Sequence, residues 1–349
     1  MPMEGARDRS VSSIQAVLEK AGFFVTDTHS VRPTSFDLMA RRDSTLVILK
    51  VLKNIDALDA PEADRLRELS KLFGAEILVI GQSSGATDLE PGVVYYRYGV
   101  PIVTEASLEE YLLEGVPPFL FSSPGGIFVR VDGGRLRELR EGHNLSLGAL
   151  ASVAGVSRRT IQLYEGGAGA EVDVIERLER FLKEPIAEAI DLFSALEGVV
   201  PRRLAAEHPA TAPPGEPDSL EERASGTKAA RPPPRTGDPL RDGVFRQLDG
   251  MGWEVHVTIR CPFDAFTRGT PGGESEFLLT GVGTLRSAQH RAEVMVGLAR
   301  VAEGHAVFVV GEAGKRTTIE GVPVVTTQEL RRTRARDEFF ELIEERESW

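Results

Sequence analysis

The 349-residue chain has a single cysteine, Cys261. One thiol excludes an intramolecular disulfide and any zinc site built on several cysteines, and it suits a reducing cytoplasm. Long apolar runs are missing too. No stretch reaches the ~20 residues a membrane-spanning helix needs, so no membrane is expected as a partner. The opening MPMEGARDRS has charges but no apolar segment behind them, and no signal peptide is legible. Positive charge is in deficit: 41 Lys and Arg face 53 Asp and Glu, a formal net charge of −12. Such a surface does not coat nucleic acid non-specifically, so any nucleic-acid contact must come from basic residues concentrated in one place. The six histidines (His29, His143, His208, His256, His290 and His305) include no i, i+4 ligand pair. The glycines after apolar strands, at 81–85 and 281–283, lack the spacing of a phosphate-cradling loop. No cofactor is expected, and no effector is readable.

What the chain does have is a dense run between Leu136 and Leu182, centred on SVAGVSRRTIQLYEGG. Leu136 and Leu139 mark a first helix that His143 and Asn144 break. Ser146 is a suitable N-cap, because its hydroxyl can accept an orphan backbone N–H of the helix that follows. Leu147, Leu150, Ala151 and Ala154 then recur at helical spacing. Gly155 sits where the chain must reverse and a positive φ costs least. Ala151 is small enough for another helix to cross it closely. Ser157 caps a third helix, in which Ile161 and Tyr164 face inward and Arg158, Arg159, Thr160 and Gln162 lie outward or at the leading end. This is the pattern of a helix-turn-helix that lays residues 157–164 in the major groove of double-stranded DNA. The first turn of a recognition helix meets base edges, where Arg forks onto guanine and Gln onto adenine. The expected DNA-binding residues are Ser146, Leu147, Ser157, Arg158, Arg159, Thr160 and Gln162. The plainer alternative is a packing unit whose arginines are merely solvated. A fourth helix follows, with Val174, Leu178 and Phe181 expected on one face.

Both flanks read as α/β. A helix over residues 11–23 precedes a short strand, then SFDLMARR and the long apolar TLVILKVL, expected to be buried on both faces. A helix, the strand EILVIG, two short strands around Gly99-Val100-Pro101 and a closing helix complete the first unit. Pro117-Pro118 and Pro124-Gly125-Gly126 read as a connector. The last third repeats the first in order: CPFDAFTR echoes TSFDLMARR, HAVFVVGEAG echoes AEILVIGQSSG, and IEGVPVVTTQEL echoes RYGVPIVTEASL. Ordered repeats mean a duplicated structural unit. The expected domains are 1–122 (α/β), 127–195 (helix-turn-helix), 199–239 (a proline-rich, disordered linker) and 240–349 (the second α/β unit).

An acidic residue at the end of a strand, then a turn, then a strand ending in Glu-x-Lys is the pattern of a metal-dependent nuclease, in which two carboxylates hold Mg²⁺ and the lysine steadies the attacking water. Asp37 and Lys53 have suitable spacing, but the place two before Lys53 is Val51; taking Lys50 instead puts Ile48 there. In the repeat Asp264 persists, while FLLTGVGTL offers neither Glu nor Lys. Both copies are therefore expected to keep a restriction-endonuclease-like fold without the reaction, and no catalytic or metal-binding residue is assigned.

Residues 127–190 resemble the Cro/C1-type (XRE) helix-turn-helix family. That resemblance puts Arg158, Arg159 and Gln162 where the family reads bases, and Leu147 where many members carry a phosphate-holding Gln. Through RPTSFDLMARRD, LVILKVLKNIDAL, VYYRYGVPIVT, EGVPPFLFSSPGG and the SLGALASVAGVSRRT block, the chain as a whole resembles the archaeal HTH-type transcriptional regulatory proteins. The resemblance implies a cytoplasmic, sequence-specific, DNA-binding regulator of transcription. A homodimer is expected, since one such unit touches too few bases for useful specificity. The competing readings are a PD-(D/E)xK nuclease and a protein-binding scaffold.

Overall fold

The computed structural model describes residues 4–28, 31, 34–194, 236–273, 275–312 and 316–347. Most of the expected linker, 199–235, lies outside the described residues.

Helix α1 (Glu4–Lys20) buries Ile14, Val17 and Leu18 against a sheet. Gly22, at φ +84°, turns the chain into β1 (Phe24–Asp27). β2 (Leu38–Arg42) and β3 (Thr45–Asn54) form a hairpin, and β3 is buried on both faces as its unbroken apolar run requires. Val47, Leu49 and Val51 face α1, while Leu46, Ile48 and Leu52 face the core on the other side. Helix α2 (Ala60–Phe73) starts on Asp59, whose carboxylate accepts the Glu62 N–H, and stops at Gly74 in the left-handed region. It crosses to β4 (Glu76–Ser84), which runs parallel to β3. β5 (Thr87–Asp88), β6 (Val93–Arg97), β7 (Val100–Val103) and α3 (Glu105–Glu109) follow.

The stretch read as a connector encloses a strand, Leu120–Ser123, which makes a hairpin with the one expected over 127–131. β8 (Leu120–Ser123) runs parallel to β6 and pairs antiparallel with β9 (Gly126–Val129) around Pro124-Gly125. Prolines on both sides hid so short a strand. The sheet order becomes β1-β2-β3-β4-β7-β6-β8-β9, with β5 against β4. Helices α4 (Gly133–Gly142), α5 (Leu147–Ala154), α6 (Arg158–Glu165) and α7 (Val172–Leu182) come next. They are fastened to the first sheet: Val129 and Ala170 pair backbones, and Phe193 meets Phe23 at 5.7 Å and Tyr111 at 5.6 Å between ring centres.

The second unit comprises α8 (Pro239–Gly250), β10 (Glu254–Val257), β11 (Ala265–Gly269), β12 (Glu276–Gly283), α9 (Leu285–Ala302), β13 (His305–Val310), β14 (Thr318–Ile319), β15 (Val322–Thr326), α10 (Thr327–Arg332) and α11 (Arg336–Arg346). Its order, β10-β11-β12-β13-β15-β14, reproduces the first six positions of the first sheet. The repeat is one fold twice, with one change of register. Asp37 accepts the Val51 N–H and Asp264 the Val282 N–H, which makes Val51 and Val282 equivalent. Leu52 then pairs with Gly81 and Gly283 with Val310, so Gly81 matches Val310 rather than the Gly311 the sequence suggested.

The two units share a core. α9 lies across β1 and β2, so close that a Cβ on Gly297 would fall 2.3 Å from Thr26 Oγ1. Phe73, at the end of α2, sits among Phe263, Phe266 and Phe277 at 6.0, 5.0 and 5.8 Å. The Ser35 N–H donates to Arg260 O at 2.7 Å, joining the units backbone to backbone. Among the described residues no helix is long and apolar enough to cross a membrane.

Candidate DNA interface

The helix-turn-helix is built by its caps. Ser146 Oγ accepts the Ala149 N–H and Ser157 Oγ accepts the Thr160 N–H, each at 3.1 Å, so both helices begin where the serines stand. Gly155, at φ +71°, ends α5, and the Val156 N–H closes the turn on Ala151 O. Leu136, Leu150, Ala151, Ala154, Ile161, Tyr164 and Leu178 form the core beneath. Burial pushes the Tyr164 phenol up to about 12, and the nearby Glu171 and Asp173 charges add to it. A Cβ on Gly133 would lie 2.6 Å from the Tyr164 and Glu165 carbonyl oxygens, so α4 starts directly on the end of α6. On α7 the apolar stripe is Val174, Ile175, Leu178 and Leu182. Phe181, expected inside, is 46% exposed, because the stripe passes one residue to its side.

The seven residues expected at DNA gather at the leading ends of α5 and α6. The Ser146 hydroxyl is committed to its cap; those of Ser157 and Thr160 also bond each other at 2.8 Å. Leu147 is half-buried against the core. Arg158, Arg159 and Gln162 are exposed.

Charge separates the two arginines from their neighbours. Arg140 and Arg137 both reach the buried Glu165 carboxylate, at 2.5 and 3.4 Å. Arg135 pairs with Glu184, Arg130 with Glu188, Arg177 with Asp173, and Arg180, at 4.0 Å, with Glu176. Among the described residues, Arg158 and Arg159 are the two arginines of this domain with no ion pair.

Of the two lysines weighed for the nuclease-like position, strand parity gives the place to Lys50. Lys53 is exposed on the opposite side of β3 from the buried Lys50, because side chains alternate along a strand. Lys50 Nζ lies 2.7 Å from Glu62 Oε1 and donates to Ser35 O at 3.0 Å. Two residues before it stands the fully buried Ile48. In the second unit Asp264 is held by Arg241 and Arg291, both at 2.9 Å. The place of Lys50 is taken by Gly281, where a Cβ would meet the Phe308 ring at 2.3 Å. Neither the Lys50–Glu62 pair nor the arginine clamp was found from sequence; the parity of Ile48, Lys50 and Leu52 along β3 was the available signal.

Residues 7–118 match the PD-(D/E)XK superfamily domain and residues 133–189 a helix-turn-helix domain. Curated relatives span the whole chain. A protein of Natronomonas pharaonis is 35% identical over 98% of this chain and 99% of its own length. One from Halobacterium salinarum is 35% identical over 98% of both chains. One from Methanocella arvoryzae is 33% identical over 98% of this chain and 97% of its own. Each is named "Putative HTH-type transcriptional regulatory protein". The chain belongs to this archaeal family. No solved structure matches it. The PD-(D/E)XK superfamily implies a divalent cation, and the residues present do not fit one. Ile48 stands where a carboxylate is needed, Glu62 is bound to Lys50, and Asp264 is neutralised by two arginines.

Proposed function

We propose that this family member is a cytoplasmic, sequence-specific DNA-binding regulator of transcription, with a Cro/C1-type helix-turn-helix that places α6 in the major groove. It acts as a homodimer on paired half-sites, and its interface comprises Ser146, Leu147, Ser157, Arg158, Arg159, Thr160 and Gln162. One observation carries the reading. In a domain whose other arginines all have carboxylate partners, the two without one stand side by side on the exposed first turn of α6. On a protein of net charge −12, leaving two cations unpaired there suits an anionic partner that meets that turn. The capping serines fix where each helix starts and therefore how far the arginines reach. In this reading the paired α/β units are a rigid body and not an enzyme.

The superfamily match at 7–118 keeps metal-dependent DNA cleavage as the second reading. Selection of bound duplexes from a random pool, alongside mapping of bound chromosomal sites, tests the first. A shared, two-fold-related motif is expected; recovery of unenriched sequence would refute it.

A further inference from the structure

Arg158 and Arg159 are neighbours in sequence, yet their surroundings differ. Gly148 is the second residue of α5. A Cβ there would stand 2.8 Å from Arg158 Nε and 3.2 Å from Cζ and Nη2. The Arg158 guanidinium therefore folds back over the first turn of α5, in space that glycine alone leaves open. In that turn the Ser146 hydroxyl accepts the Ala149 N–H, Leu147 is apolar, and the Ser152 hydroxyl donates back to Gly148 O at 3.0 Å, so the Arg158 guanidinium is the cation that lies there. Arg159 is exposed and free of ion pairs, and Gln162 lies three residues beyond it and four beyond Arg158, on the side of the helix both share.

We infer that the two arginines divide the work: Arg158 clamps a DNA backbone phosphate beside α5, while Arg159 and Gln162 read bases. The inference rests on the DNA-binding reading above. In a docked helix-turn-helix the first helix crosses the phosphate backbone and the leading residues of the second meet base edges. A guanidinium lying on α5 is on the backbone side, and a guanidinium presents the forked N–H donors that a phosphate accepts. To reach a base Arg158 would have to leave α5; Arg159 would not. The apolar Leu147 is compensated by this arrangement, with Gly148 as the residue that permits it. Phosphate contacts fix register and carry no sequence information, whereas base contacts specify.

The test uses the full-length protein, one selected duplex, its scrambled counterpart and a salt titration. Arg158→Ala should weaken binding to both duplexes by the same factor and reduce the slope of log K against log salt by about 0.9. Arg158→Lys should restore the slope, because a phosphate accepts a point charge whereas a forked guanine contact does not. Gly148→Ala should behave like Arg158→Ala with the fold retained, since alanine favours a helix and the clashing atoms belong to a movable side chain. Arg159→Ala and Gln162→Ala should instead lower the preference for the selected duplex, roughly 10- to 100-fold, with less effect on the scrambled one. A loss of preference in Arg158→Ala at unchanged slope, or failure of Arg158→Lys to rescue, overturns the division of labour. Wild-type binding by all these variants overturns the DNA-binding reading as well.

Discussion

Replacing Phe73 with alanine should destabilise both α/β units together. The ring ends α2 in the first unit but lies among Phe263, Phe266 and Phe277 of the second, at 5.0 to 6.0 Å. A Phe→Ala change in a packed core costs about 3–5 kcal/mol. Phe73 keeps some exposure, which places it at the lower end, and the edge-to-face contacts, worth about 0.5–1.5 kcal/mol each, fall within that sum. The expectation is about 3 kcal/mol, against a few tenths for the control Phe24→Ala, whose side chain is 57% exposed. Trp253, packed against Phe339 and Phe340, reports on the second unit once the chain's other tryptophan, Trp349, is changed to Phe. With a urea m-value of ~2–3 kcal/mol/M, the Trp253 midpoint should fall by about 1 M or slightly more. If the Trp253 transition stays put while the first unit unfolds earlier, the shared core does not bind the units into one cooperative body.

Three further outcomes follow from named groups. Ile161→Ala, which empties a fully buried site under α6, should cost about 2–5 kcal/mol of stability in thermal melts followed by circular dichroism. His305 is partly buried, which opposes its charge, but its 2.7 Å bond to Glu347, with Glu276 and Glu344 nearby, raises its pKa above 6.5. A raised folded pKa gives stability that is full below about 6.5 and is lost as pH rises through the folded value. Urea midpoints should therefore drop on the alkaline side of 6.5, and His305→Gln should flatten that slope; a slope unchanged by the substitution would place the titrating group elsewhere. Supercoiled plasmid incubated with the protein and Mg²⁺ or Mn²⁺ should stay intact; nicking that disappears in Asp37→Ala would revive the nuclease.

How much was legible depended on whether the signal was local. Ser146, Gly155 and Ser157 announced the helix-turn-helix because caps and turns are written into single residues, and all three stand where the pattern put them. Phe181 was misplaced because a stripe drawn through Val174 and Leu178 leaves one neighbouring position ambiguous, and Leu182 filled it. The duplication was visible in Phe-Asp and Gly-Val-Pro, but matching Gly81 to Gly311 followed residue identity where strand pairing decides. The apolar run of β3 said that both faces are covered without saying by what; that the neighbouring β1 and β2 are crossed by α9, from the far end of the chain, is long-range packing that no local pattern carries. Lys53 looked apt by spacing alone, and strand parity gives the place to Lys50.

The central claim is that the first turn of α6 recognises DNA, and a titration of the Arg158→Ala, Arg159→Ala double variant tests it most directly. Wild type and variant are compared on a selected duplex and a scrambled one at fixed salt, with folding verified by circular dichroism. Both side chains are exposed and free of ion pairs, so the fold should be unchanged. The account predicts a loss of about 1–3 kcal/mol on the selected duplex for the base-reading arginine, plus the phosphate contribution of its neighbour, and a smaller loss on the scrambled duplex. A folded double variant that binds the selected duplex as tightly as wild type would contradict it.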